Sequence, residues 1–73
     1  PVALCEELIK TFTDEGATVL DNCAGSFTTA IACDNLKRNW IAIEKMEDYF
    51  ETGISRVNEN RIRLGLAPVS NII

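Results

Sequence analysis

The chain has 73 residues, of which 47% are hydrophobic and 25% are charged, and it contains no histidine. These values are typical of one small globular domain, and they exclude a disordered chain, imidazole catalysis and histidine ligation of a metal. The net charge of -4 argues against DNA binding by this chain alone, because non-specific DNA affinity comes mostly from lysine and arginine.

The cysteines indicate neither a disulfide framework nor a metal site. Cys5, Cys23 and Cys33 are odd in number and form no Cys-x-x-Cys pair. No apolar run approaches the ~18 residues of a membrane-spanning helix, and no basic segment followed by an apolar one opens the chain. We therefore expect a cytoplasmic protein with no metal ion and no membrane partner.

The first segment predicts an amphipathic helix. Residues 3–12 place Leu4, Leu8 and Ile9 on one helical face, which we expect to pack in the core. Gly16 lies in the connector that follows, where it is available for a left-handed turn.

A strand, a polar turn and a short helix come next. Residues 17–20 are apolar and bounded by turn formers, which predicts a buried parallel strand. Ser26 lies at the end of the turn, where its hydroxyl is suited to cap the next helix. Residues 28–35 predict that helix, and its alanines and cysteine are small enough to let it lie close to a strand.

The last two elements are a strand and a long helix. Residues 39–44 predict the strand, which ends in Glu44, and residues 46–64 predict the helix. Gly53 inside the helix indicates close packing or a bend. The expected inner stripe of the helix is Tyr49, Phe50, Ile54, Val57 and Ile62.

The elements predict an α/β fold with the order helix-strand-helix-strand-helix and a two-stranded parallel sheet. We expect residues 1–66 to form the domain and residues 67–73 to form a C-terminal tail. Two parallel strands cannot cover both faces and edges of their own sheet in so short a chain. The chain is therefore expected to be a fragment, completed by a second copy in a homodimer or by a missing N-terminal portion.

Several motifs along the chain occur together in one known family. They are Pro1-Val2-Ala3-Leu4, Leu8-Ile9, Gly16, Val19-Leu20-Asp21, Ala24-Gly25-Ser26, Thr28-Thr29, Arg38-Asn39, Ile43-Glu44 and Tyr49-Phe50. This series resembles the C-terminal cofactor half of bacterial and phage DNA amino-methyltransferases, which act on adenine or cytosine. The resemblance implies a partial Rossmann-like methyltransferase fold and S-adenosylmethionine as the cofactor.

The resemblance also implies a cofactor site. In it, Asp21 and the turn through Gly25 border the methionine moiety, Thr28 and Thr29 contact its carboxylate, and Glu44 accepts the ribose hydroxyls. The full set of expected cofactor-binding residues is Asp21, Ala24, Gly25, Ser26, Thr28, Thr29 and Glu44. The alternatives are local turn and cap chemistry for Asp21 and Ser26, and a surface acid at a helix start for Glu44.

The chain departs from the family pattern in three ways. Asp21-Asn22-Cys23 stands where the family has Asp-Pro-Phe, which loses the rigid proline and an aromatic wall. Phe27 stands where the family has the second glycine of Gly-Ser-Gly, and a bulky residue there is expected to fill cofactor space and to make a positive φ costly. No Asp-Pro-Pro-Tyr type motif is present, so no catalytic residue is assigned and the isolated chain is expected to be inactive.

Three functions remain open from the sequence. The first is a fragment of a DNA methyltransferase that reaches DNA only through the parent enzyme. The second is a vestigial interaction module that binds no cofactor, which Phe27 favours. The third is a general nucleotide-binding βαβ unit, which the lack of Gly-x-Gly-x-x-Gly disfavours.

Overall fold

The computed structural model describes residues 2–69 and contains five elements in the predicted order. They are α1 (Val2–Phe12), β1 (Thr18–Asp21), α2 (Thr28–Asn35), β2 (Asn39–Ala42) and α3 (Glu47–Arg63). The α/β fold and the order helix-strand-helix-strand-helix are thereby confirmed, and each boundary lies within two residues of the sequence-based expectation.

The two strands pair in parallel, as predicted. Thr18 is opposite Asn39 and Asp21 is opposite Ala42, with α2 as the crossover between them. Side chains alternate between the two faces of a strand, so Val19 and Trp40 point to the same face of the sheet. That face packs against the helices, and both carboxyl ends of the strands lie at one edge of the molecule.

The core lies between the sheet and the helices and is organised around α2. One cluster combines Phe27 and Ile31 with Val57 of α3, and the other combines Ile9 of α1 with Cys33 of α2. Small side chains on α2 make this central position possible, because a helix rich in alanine can approach a strand and two other helices closely. The predicted role of the small residues is confirmed, since Ala30, Ala32 and Cys33 are buried.

A buried polar connection joins three elements beside this core. The side chain of Asp34 is only 5% exposed, and its Oδ1 accepts hydrogen bonds from Trp40 Nε1 at 3.0 Å and from Arg61 Nη1 at 2.8 Å. The other oxygen, Oδ2, is buried without a partner among residues 2–69. One carboxylate therefore links α2, β2 and α3.

The other face of the sheet is open, which corrects the expectation of a buried strand. Leu20, Ile41 and Ile43 all point to this face, and each is more than half exposed. We call these three residues the open sheet face. The reason for its exposure is that the described helices pack on the side of Val19, Trp40 and Ala42.

Two helices bury less of their apolar surface than predicted. On α1 only Ile9 is buried, whereas Leu4 and Leu8 are exposed, because they lie on another side of the helix from Val2, Cys5 and Ile9, which contact the core. On α3 the stripe of Phe50, Ile54 and Val57 packs in the core as expected. Tyr49 and Ile62 were predicted to join it and are exposed, since each lies on another side of the helix.

The segment after α3 turns back along that helix as far as the described residues extend. Val69 exchanges two hydrogen bonds with the Asn58 side chain, and Arg61 Nε donates to the carbonyl of Ala67. The division into a domain of residues 1–66 and a tail of residues 67–73 stays a prediction, because residues 70–73 lie outside the described part. None of the helices within residues 2–69 is long and apolar enough to cross a membrane.

Candidate functional site

The candidate site is the turn between β1 and α2, at the carboxyl end of the sheet. Asp21 Oδ1 accepts the Cys23 backbone N–H at 3.1 Å, which closes an Asx turn immediately after the strand. The Ala24 N–H then donates to the carbonyl of Ile43 at 3.0 Å and ties the turn to the end of β2. Gly25 has a φ of 52°, a left-handed conformation that glycine adopts without steric cost.

Glu44 connects this turn to the start of α3. Its Oε1 accepts the Gly25 N–H at 2.8 Å, and its Oε2 accepts the Met46 N–H at 2.9 Å. A carboxylate has about four acceptor positions, so each oxygen keeps a free one after these bonds. The side chain is half-buried, which orients it while leaving it accessible from outside.

Phe27 does not fill the space above the turn, and that expectation was wrong. Its side chain is 1% exposed and lies in the core, where its ring meets Trp40 and Phe50 edge to face. Its φ is positive, at 62°, despite the cost that such a conformation has for a bulky residue. The left-handed backbone turns the side chain inward, so the steric argument against a cofactor no longer applies.

Ser26 does not cap α2, which corrects the second expectation for the turn. The N-cap residue is Phe27, and no side chain makes a capping hydrogen bond there. The Ser26 hydroxyl instead lies 3.0 Å from that of Thr28. The first N–H groups of α2, at Thr28 and Thr29, have no carbonyl within the helix to pair with, as at any helix start.

A cleft of about 460 Å³ adjoins the turn on the side of α3. It is lined by Gly25 and Ser26 from the turn and by Asp48, Tyr49 and Thr52 from the helix. Tyr49 was predicted to pack in the core, but it is exposed and faces this cleft. The prediction of core packing for Phe50 is confirmed, since its ring meets the Phe27 ring edge to face with centroids 5.9 Å apart.

The structure brings most of the expected residues together. A hydrogen bond joins Gly25 to Glu44, another joins Ser26 and Thr28, and Asp21 closes the base of the same turn. Ala24 is buried in the core, so only its backbone can reach a ligand. Thr29 follows Thr28 on α2 and makes no side-chain hydrogen bond within residues 2–69.

Four residues of α3 were not assigned to this site from the sequence. Asp48, Tyr49, Thr52 and Arg56 lie on the side of the helix that faces the turn, and Arg56 donates a hydrogen bond from Nη1 to the Ser26 carbonyl. Their spacing of three to four residues was the available signal, because it places polar side chains on one face just after Glu44.

Comparison with known proteins agrees with this geometry. A family model described as DNA methylase matches residues 1–55, which is most of the chain. The chain belongs to the DNA methylase family. The resemblance seen in the sequence is thereby confirmed.

Individual methylases show the same relationship. The chain is 47% identical over 51 residues to the type II methyltransferase M.BglI of Bacillus subtilis, and this stretch covers 70% of the chain. The structure of M1.HpyAVI superposes with a TM-score of 0.78 and 45% identity over 80% of the chain. TTHA0409 from Thermus thermophilus, complexed with S-adenosyl-L-methionine, superposes with a TM-score of 0.79 and 32% identity over 82% of the chain.

These methylases are much longer than the chain. The matched region covers 15% of M.BglI, 29% of M1.HpyAVI and 25% of TTHA0409. The chain therefore corresponds to only one part of each of these methylases.

Proposed function

We propose that this chain is the S-adenosylmethionine-binding part of a methyltransferase that methylates an exocyclic amino group of adenine or cytosine in DNA. The cofactor supplies an electrophilic methyl group on a sulfonium, and this chain supplies the groups that hold it. Support comes from the family membership and from the S-adenosylmethionine complexes of M1.HpyAVI and TTHA0409. The activity itself belongs to the larger parent.

The observation that carries the proposal is the double backbone hydrogen bond of Glu44. The Gly25 and Met46 N–H groups hold both carboxylate oxygens at the carboxyl end of the sheet and fix their direction. A ribose offers two neighbouring hydroxyl donors, and the free acceptor position on each oxygen suits such a diol. We assign ribose binding to Glu44.

The other end of the cofactor is assigned to the start of α2. A helix N-terminus carries unpaired N–H donors and a partial positive charge, both of which favour a carboxylate. Thr28 and Thr29 add hydroxyls at that position, and the turn from Asp21 through Ala24, Gly25 and Ser26 lies between the two ends. S-adenosylmethionine carries an amino-acid carboxylate and a ribose diol, so a site with helix N–H donors and a carboxylate acceptor suits it.

The same proposal assigns a partner to the open sheet face. Parallel sheets are covered on both sides in nearly all proteins, and Leu20, Ile41 and Ile43 are uncovered here. We propose that the remainder of the methyltransferase covers this face in the parent and that a second copy covers it when the chain is alone. The alternative of an interaction module without cofactor loses its main support, because the Phe27 ring lies in the core.

Calorimetric titration of the chain with S-adenosylmethionine and with NAD tests the proposal. We expect heat of binding with S-adenosylmethionine and none with NAD. Glu44→Ala removes the diol acceptor and is expected to weaken binding by about 1.5 to 3 kcal/mol, the range for hydrogen bonds to a charged group. Glu47→Ala removes an exposed acid three residues later and is the matched control.

Three outcomes of this titration would contradict the proposal. Absence of S-adenosylmethionine binding to a chain that circular dichroism shows to be folded would reject the cofactor. Preference for NAD would favour the general nucleotide-binding unit. Equal affinity of the Glu44→Ala and Glu47→Ala variants would show that Glu44 does not contact the ribose.

A further inference from the structure

The backbone of Phe27 is unusual for a bulky residue. Its φ and ψ are 62° and 29°, in the left-handed region where residues with a Cβ are uncommon. Such a conformation costs free energy and persists only where the surroundings enforce it. The structure must therefore contain something that holds residue 27 in place.

The ring of Phe27 is held by an aromatic enclosure. It is 1% exposed, its centroid is 6.4 Å from that of Trp40 at an interplanar angle of 90°, and Phe50 approaches at 78°. Burial of so large an apolar side chain is strongly favourable and offsets the cost of the backbone.

Gly53 provides the remaining side of the enclosure. A Cβ built on Gly53 would lie 2.8 Å from Cε1 of Phe27 and closer still to Cδ1, far inside van der Waals contact. The Phe27 ring thus rests directly on the backbone of α3. A glycine within a long helix is unfavourable by itself, and here the ring explains its presence.

A second contact from α3 reaches the same turn. Arg56, one helical turn after Gly53, donates a hydrogen bond to the carbonyl of Ser26, the residue before Phe27. The turn is consequently attached to α3 from the inside by the ring and from the outside by the guanidinium. These two contacts are independent of the bond between Gly25 and Glu44.

We propose that Phe27 and Gly53 act together as positioning residues for the cofactor turn. The ring seated on Gly53 holds residue 27 in the left-handed conformation and so fixes the direction of the N–H groups at the start of α2. Neither residue touches the cofactor. The inference rests on the proposed function for its effect on affinity, but the conformation of the turn can be measured without any ligand.

The first experiment measures the turn directly by NMR. In the wild-type chain, the HN–Hα coupling and the chemical shifts of residue 27 should report a positive φ. Gly53→Ala should displace the ring and shift the amide resonances of residues 24–29, whereas Ser55→Ala, on the exposed side of the same helix, should leave them unchanged. Unchanged resonances of residues 24–29 in a folded Gly53→Ala variant would overturn the proposal.

The second experiment is a double-mutant cycle read out by S-adenosylmethionine affinity. If Gly53→Ala reduces the competent turn to about one tenth of the population, the apparent Kd rises about tenfold. In a Phe27→Gly background the ring is absent, so the same alanine should change the Kd less than about twofold. A purely structural role would lower the melting temperature of Gly53→Ala while leaving the Kd of the folded protein unchanged, which would also overturn the proposal.

The remaining outcomes are also decisive. If Gly53→Ala fails to fold, the Phe27→Gly/Gly53→Ala variant should recover the fold, and failure to recover it would count against coupling of the two residues. If the wild-type chain binds no S-adenosylmethionine, the proposed function fails, and the NMR comparison alone decides whether Phe27 and Gly53 hold the turn.

Discussion

Replacement of Asp34 by alanine should destabilise the fold more than loss of any exposed acid. The carboxylate accepts one neutral hydrogen bond, from Trp40 Nε1 at 3.0 Å, and one charged hydrogen bond, from Arg61 Nη1 at 2.8 Å. A neutral bond contributes about 1 kcal/mol and a charged one about 1.5 to 3 kcal/mol. Their combined loss is therefore expected to cost about 3 kcal/mol.

The expected cost of about 3 kcal/mol lies at the lower end of the range for a broken buried ion pair, which is about 3 to 5 kcal/mol. The Arg61 side chain is 19% exposed and keeps its bond from Nε to the Ala67 carbonyl at 2.6 Å, so it is not left wholly unpaired. For a domain of this size, about 3 kcal/mol corresponds to a fall in melting temperature of about 12 to 24 °C.

Thermal unfolding followed by far-ultraviolet circular dichroism measures the effect. Asp34→Asn keeps an acceptor for Trp40 and loses the charge, so about half of the destabilisation is expected. Glu51→Ala removes an exposed helical acid and should change the melting temperature little. A melting temperature for Asp34→Ala equal to that of Glu51→Ala would refute the view that this carboxylate connects α2, β2 and α3.

Further predictions concern the thiols, the association state and the activity. Burial, followed by the nearby Asp34 carboxylate, raises the pKa of the Cys33 thiol from 9.0 to about 11, so Cys33 should resist alkylation at pH 8 while exposed Cys23 reacts. Between pH 9 and 11 the folded state then binds more protons than the unfolded state, so the free energy of unfolding should fall by up to about 1.4 kcal/mol per pH unit. A Cys33→Ala variant whose free energy of unfolding falls with the same slope over this pH range would contradict this. Light scattering at micromolar concentration should find a two-fold dimer, and a stable monomer of 8.1 kDa would argue against association through uncovered sheet surface. The isolated chain should transfer no labelled methyl group to DNA, since its sequence has no Asp-Pro-Pro-Tyr type motif to align the amino nucleophile; detectable transfer would count against that reasoning.

The order of the elements could be predicted from the sequence because it depends on local patterns. Residues 28–35 were delimited correctly from their composition, and the parallel pairing followed from a crossover helix between two short apolar strands. The contact between Glu44 and the turn could also be anticipated, since the carboxyl ends of neighbouring parallel strands meet at one edge. These features rest on covalent geometry and on spacing along the chain.

What could not be predicted depends on contacts between distant residues. The direction of the Phe27 side chain follows from the enclosure formed with Gly53 on α3, far along the chain, and no local pattern reveals it. Tyr49 and Phe50 are adjacent and both aromatic, yet only Phe50 packs in the core. The exposure of Leu4 and Leu8 could not be inferred either, because their helical pattern is the same whether or not a neighbouring element covers them.

The open sheet face has a consequence for how the chain should behave in solution. Three apolar side chains favour association, whereas a net charge of -4 on so small a molecule opposes the approach of two copies. Salt weakens the repulsion, with a screening distance of about 8 Å at physiological ionic strength, but leaves the apolar attraction in place. Added sodium chloride, or a pH low enough to protonate the carboxylates, should therefore strengthen the association of the two copies, and buffer of low ionic strength should weaken it.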